Sequence, residues 1–196
     1  MNLHCKASVV LNNLKFLVTI VVIITTQFLT FTAQAAGEPP LTHGFTVVDP
    51  PIAISALKLS NMDEEFIDIK SMKGKVIVIN FWATWCPPCR REMTSLEKLY
   101  LATKDKNVVV LAINIGEDIE TVFSFINSIE PSPSFPILFD TDSKVMQQWK
   151  VQGLPTTYII SPEAEIVYKA VGGREFNHPD IIDKVIKLSS KVGHQK

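Results

Sequence analysis

VIVINFWATWCPPCRREM, residues 76–93, is the stretch that decides the fold. Its first six residues form a β-branched, apolar run broken only by Asn80, the pattern of a strand buried on both faces of a sheet. From Cys89 onward, Cys89, Met93, Leu96 and Tyr100 recur at helical spacing, with Arg90, Thr94, Glu97 and Lys98 on the other side. That spacing predicts a helix starting around the cysteines and ending near Lys104. Cys86 and Cys89 therefore stand where a buried strand turns into a helix.

The flanking sequence extends the pattern. Val108 to Ile115 (VVVLAINI) reads as a second central strand, and Glu117 to Ile129 as a helix with Ile119, Val122, Phe123 and Ile126 inward. A strand at Pro136–Phe139 and a short helix near Ser143–Trp149 follow. Thr157–Ser161 and Glu165–Val171 read as a hairpin through Pro162, and a last helix starts at Pro179, a favoured first helical position. Upstream, Leu57–Leu59 and Phe66–Ile69 read as a hairpin of short strands. The order predicts an α/β three-layer sandwich, with a mixed central sheet and helices on both faces.

At the N-terminus, Lys6 and Lys15 precede the apolar run Phe16–Thr32, and Ala33-Gln34-Ala35 follows at once. A basic region, an apolar region and a small-residue site read as a secretory signal peptide over residues 1–35, cleaved after Ala35. The alternative is an uncleaved membrane anchor, because the run approaches the roughly 20 residues needed to span a bilayer. Either places the remainder outside the cytoplasm, with periplasmic location the expectation. Residues 36–51 hold four prolines and read as an extended lead-in, and residues 52–192 as the domain.

Composition narrows the chemistry. The net charge is −1, and loss of Lys6 and Lys15 with the leader makes it −3, so a nucleic-acid partner is disfavoured. Cys5 leaves with the leader, and two of the three cysteines remain. A zinc site needs two further ligands, and His43, His178 and His194 are scattered without metal-ligand spacing, so no metal or other cofactor is expected. A purely structural disulfide would close only a tiny loop, where cross-linking stabilises least.

The placement of the pair favours exchange chemistry. At a helix N-terminus, free N–H groups and the macrodipole favour a thiolate, the species that attacks a disulfide. Cys86, at the exposed start, is expected to attack, and Cys89, one turn further in, to resolve the mixed disulfide. Pro87 and Pro88 lack N–H donors that could reach the Cys86 sulfur, and Glu92 opposes the thiolate if charged. Less stabilisation of the thiolate means a more reducing couple, so a reductant is expected.

FWATWCPPCRREM together with Gly153-Leu154-Pro155-Thr156-Thr157-Tyr158, with Pro155 66 residues after Cys89, resembles the thioredoxin superfamily. Within it the chain is similar to the exported TlpA and ResA type of thiol-disulfide oxidoreductases, over roughly residues 45–190. The resemblance implies a redox-active Cys86–Cys89 disulfide and a cis Leu154–Pro155 bond packed beside it. It also implies a substrate-binding surface at Trp85, Leu154, Pro155 and Thr156, and an inserted helix and strand within Gly116–Asp140. Asn80 stands where cytoplasmic thioredoxins carry a buried aspartate. Glu92 matches a glutamate that this branch places near its cysteines, read either as a partly buried proton shuttle for Cys89 or as an ordinary solvated residue. The clients implied are protein disulfides, among them apocytochrome c during cytochrome c maturation, with a membrane electron-relay protein as donor and a monomer as the working form. A general disulfide oxidase or isomerase, and a Cu(I) chaperone using both thiolates, are the alternative functions.

Overall fold

In the computed structural model, which describes residues 39–190, the stretch at 76–82 becomes β4 (Val76–Trp82), buried along its whole length. Around it lie β1 (Thr46–Ala53), β5 (Val108–Ile115), β6 (Ile137–Asp140), β7 (Thr156–Ile160) and β8 (Glu165–Val171). These form one mixed sheet in the order β1-β8-β7-β4-β5-β6. β4 runs parallel to β5 and antiparallel to β7, whose first residue, Thr156, faces Phe81. β2 (Lys58–Ser60) and β3 (Phe66–Asp68) form the expected small hairpin.

Alternation along β4 splits the core in two. Val76, Val78 and Trp82 pack with α1 (Pro87–Thr103), α2 (Ile119–Ile126) and α4 (Pro179–Ser190). Ile77, Ile79 and Phe81 pack on the other face with Val145 of α3 (Lys144–Gln148), with Trp149, and with Ile69 of a short 3₁₀ turn. The result is the expected three-layer sandwich. Alternation puts Asn80 on the α1 side, in register with the cysteines.

Three local readings are corrected. Thr46–Ala53 is not part of a spacer: it is an edge strand paired with β8, with an irregularity between Val47 and Ile52 around Pro50 and Pro51. Proline is tolerated there because an edge strand can leave a donor out of the ladder. In α2 it is Phe125 that lies inward, against Trp82, and Phe123 that is 55% exposed. Three and four residues after Val122, helical spacing puts Phe125 and Ile126 on its face, whereas Phe123, the next residue, turns off it. Glu97 of α1 is buried, because Ser134 donates to it from both its amide (2.8 Å) and its hydroxyl (2.6 Å). The leader with Cys5, and His194, lie outside the described residues. No helix among the described residues is long and apolar enough to cross a membrane.

Candidate active site

Cys86 is the N-cap residue of α1, extended at φ −92° and ψ 107°, and its side chain caps no amide. Pro87 and Pro88 occupy the first helical positions, so amides that an N-terminus normally offers are absent. Cys86 and Cys89 are joined in a disulfide, with their Cα atoms 5.3 Å apart. Cys86 keeps only 4% exposure and Cys89 none, so Cys86 is the outer sulfur but sits deeper than the expected exposed start. The surface position beside it is taken by Trp85, 67% exposed, which leaves a cysteine facing the core cluster.

Glu92 is fully buried, not solvated. One turn beyond Cys89, it points at β4 and at the loop after β8. Asn80 Nδ2 donates to its Oε1 at 2.7 Å, and the Arg174 backbone amide donates to its Oε2 at 2.7 Å. Burial dominates these two bonds and the nearby Arg174 charge, and the Glu92 carboxyl is pushed up to about 8. It is therefore mostly protonated at neutral pH. Its proton needs an acceptor, and the buried Asn80 Oδ1 has no partner as placed. Turning the Asn80 amide over brings Oδ1 to the carboxyl, while Thr157 Oγ1, now 3.0 Å from Nδ2, becomes a donor. Asn80 can thus serve both protonation states. β4 sets a neutral amide against a carboxyl from the helix.

Around this centre, the Leu154–Pro155 peptide bond is cis, and Leu154 packs against the cluster containing both cysteines. The Pro155 carbonyl accepts from Gly172 N at 2.9 Å. Thr156 is buried in the sheet, and its hydroxyl donates to the Gly153 carbonyl at 2.7 Å, so what it can offer a substrate is its place in the backbone. Val171, opposite Thr156 in the ladder, is an exposed apolar side chain, as is Trp85.

Two residues of the site escaped sequence reading. Glu117, just beyond β5, accepts from Thr84 N (2.7 Å), from Asn114 Nδ2 (2.7 Å) and from the Thr84 hydroxyl. It clamps the turn that carries Trp85 and Cys86. The signal was its position: immediately after Gly116 at the carboxyl end of a parallel strand, where open α/β sheets build their sites. Arg174, in Gly172-Gly173-Arg174-Glu175, had no such signal.

The histidines are not all scattered: His43, His178 and Asp180 bring ligand atoms within 4.8 Å of one another. Their geometry is that of a cap. His178 Nδ1 accepts the Asp180 amide at 3.3 Å at the start of α4, and the two imidazoles stack 3.9 Å apart at 12°, so their in-plane lone pairs run side by side.

Comparison with known proteins agrees with the geometry. The AhpC/TSA family model matches residues 53–169. The thiol-disulfide oxidoreductase ResA of Bacillus subtilis is 31% identical over 155 residues, covering 79% of this chain and 82% of that protein. ResA of Halalkalibacterium halodurans is 38% identical over 115 residues, 59% of this chain and 64% of its own length. Among solved structures, a thioredoxin-family thiol:disulfide interchange protein of Chlorobium tepidum superposes with TM-score 0.61 at 21% identity, over 69% of this chain and 97% of that one. A secreted thiol-disulfide isomerase of Corynebacterium glutamicum gives 0.64 at 18%, over 78% and 98%. These two speak to the fold alone. With a Cys86–Cys89 disulfide at a helix start, a cis Leu154–Pro155 bond and these relatives, the chain belongs to the AhpC/TSA family and is a thiol-disulfide oxidoreductase of thioredoxin fold.

Proposed function

We propose that the protein works outside the cytoplasm as a reductant of protein disulfides. The observation that carries this reading is the inner sulfur, Cys89, fully buried one turn before a buried carboxyl, beneath a Pro-Pro helix start that offers few donors to the outer one. In the reduced protein the Cys86 thiolate attacks one sulfur of a substrate disulfide, forms a mixed disulfide and releases the other sulfur as a thiolate. Cys89 then gives its proton to Glu92 in its carboxylate form, the minor one at neutral pH, and attacks the Cys86 sulfur, which frees the second substrate sulfur as a thiolate and leaves Cys86–Cys89 oxidised. Two electrons pass to the substrate.

Glu92, pushed up to about 8, is matched to thiol proton affinities near neutral pH, the condition for efficient exchange. Trp85, Leu154, Pro155 and Thr156 form the surface on which an extended client strand lies. Export is supported by the leader-like residues 1–35. Recharging then falls to a membrane protein that relays electrons from the cytoplasm, and apocytochrome c with its cysteine pair is the client we favour.

A Cys89→Ala variant tests this, because its Cys86 mixed disulfide has no internal resolver. Capture of apocytochrome c or other exported dithiol proteins supports the reading. Capture of none, or a reduction potential near that of strongly oxidising dithiol enzymes, refutes it.

A further inference from the structure

The segment just before β1 sits on the active-site loop. Thr42 N donates to the Gly173 carbonyl at 3.3 Å, Glu175 N donates to the Thr42 carbonyl at 2.7 Å, and the two stretches run parallel as a one-residue bridge at Thr42 and Arg174. Arg174 reaches back with its side chain: Nε donates to the Gly44 carbonyl at 2.6 Å. Its other nitrogens donate to the Gly172, Gly173 and Val171 carbonyls at 2.9, 3.0 and 3.2 Å. A guanidinium spent on four main-chain carbonyls fixes a loop; it recognises nothing beyond it.

The same loop touches the dithiol helix. A Cβ placed on Gly173 would lie 2.5 Å from Leu41 Cδ2 and 3.3 Å from the Pro88 side chain and carbonyl, so Gly173 is wedged between the lead-in and the Pro-Pro turn. Arg174 N donates to Glu92, and Ser95 Oγ donates to the Arg174 carbonyl at 3.2 Å while accepting from Phe176 N at 3.0 Å. The loop is held by residues 41–44 on one side and holds Glu92 on the other.

We propose that Arg174 is a positioning residue for the dithiol centre, and that residues 41–44, by gripping its loop, keep Glu92 sealed beneath it. The stretch ahead of the domain is then part of the active site. This rests on the reading of Glu92 as the proton partner of Cys89, and the two are separable.

The charged group acting on Glu92 among the described residues is Arg174; β4 sets the neutral Asn80 against it, Thr157 of β7 meets Asn80 in turn, and Cys89 lies on its own helix. Burial is the largest influence on Glu92, so opening the seal admits water and lowers its titration midpoint.

The test is a carboxyl-carbon NMR titration of the oxidised full-length chain, with the Glu92 signal assigned by its loss in Glu92→Gln. Arg174→Lys breaks up the fork of guanidinium bonds while keeping the amide and the positive charge, whose own pull lowers Glu92. Thr42→Pro removes the donor to Gly173. Leu41→Ser repeats the lead-in test without a proline if Thr42→Pro does not fold. Each variant is expected to lower the Glu92 midpoint by about one pH unit or more. A midpoint at or above the wild-type value in Arg174→Lys, or in the folded lead-in variant, overturns the proposal. If instead Glu92→Gln leaves the pH profile of disulfide exchange unchanged, the proton-transfer reading fails while the positioning result stands on its own titration.

Discussion

Replacing Glu92 by glutamine should change how stability depends on pH, in a direction and size that follow from its burial. Below the ordinary carboxylate range the group is protonated folded and unfolded, and contributes no pH dependence. Between 4.5 and about 8 the unfolded chain has lost the proton and the folded chain keeps it, so the native state binds more protons and stability falls as pH rises. Above about 8 both states are charged and the loss is complete. At 1.36 kcal/mol per pKa unit, the rise from 4.5 to about 8 corresponds to a ceiling of about 5 kcal/mol. Against the 5–15 kcal/mol typical of a domain that is a large fraction. The substituted amide removes the ionisation and keeps its bonds: its oxygen stays on Arg174 N, and its nitrogen donates to Asn80 Oδ1 once the Asn80 amide turns over. Urea unfolding of the oxidised protein from pH 4.5 to 8.5, with no free thiol of the pair to titrate, should show the variant gaining on wild type by several kcal/mol across the interval. Parallel pH profiles would refute the burial argument, whatever the activity does.

Glu117→Gln replaces a carboxylate that accepts three bonds by a group that sets a donor against one of them, and should cost about 1–3 kcal/mol in denaturant unfolding, with slower insulin reduction. Trp85→Ala removes the exposed ring next to Cys86 and should raise KM for a protein disulfide by roughly tenfold, about 1.4 kcal/mol, while reaction with a small aromatic disulfide is unchanged. Pro88→Ala restores an amide at the second helical position, where an N-cap side chain finds its donor. One charge-assisted bond of about 1.5–3 kcal/mol to the Cys86 thiolate should make the couple more oxidising by about 30–60 mV, measured in glutathione redox buffers. An unchanged potential would mean that the Pro-Pro pair does not set it.

The legible parts of the fold are those that local sequence controls. β4 and β5 declared themselves as β-branched runs because both faces of a central strand must be apolar, and α1 by its stripe at Cys89, Met93 and Leu96. The errors arose where a polar or edge residue met a distant partner. Glu97 looked solvated because nothing near it in sequence announces Ser134, 37 residues on. Most of Thr46–Ala53 fell in the spacer expected over residues 36–51 because Pro50 and Pro51 follow two earlier prolines there, and only β8 gives it a ladder to join.

The site divides along the same line. The cysteine pair, its strand-to-helix setting and the proline before β7 are short motifs, and each stands where the sequence put it. The state of Glu92 is not local information. A helical wheel places it at the edge of an apolar stripe, a position compatible with water or with the core. What decides between them is the loop at residues 172–176, some 80 residues away, whose amide and backbone close over the carboxyl while Asn80 meets it from β4. That loop is in turn braced by residues 41–44, ahead of the region where the domain was expected to begin. A carboxyl whose proton affinity is set by burial is only as well defined as its lid, and here the lid is assembled from segments 130 residues apart in the chain. Sequence spacing can therefore locate such a group, but its protonation state depends on tertiary closure that no local pattern encodes.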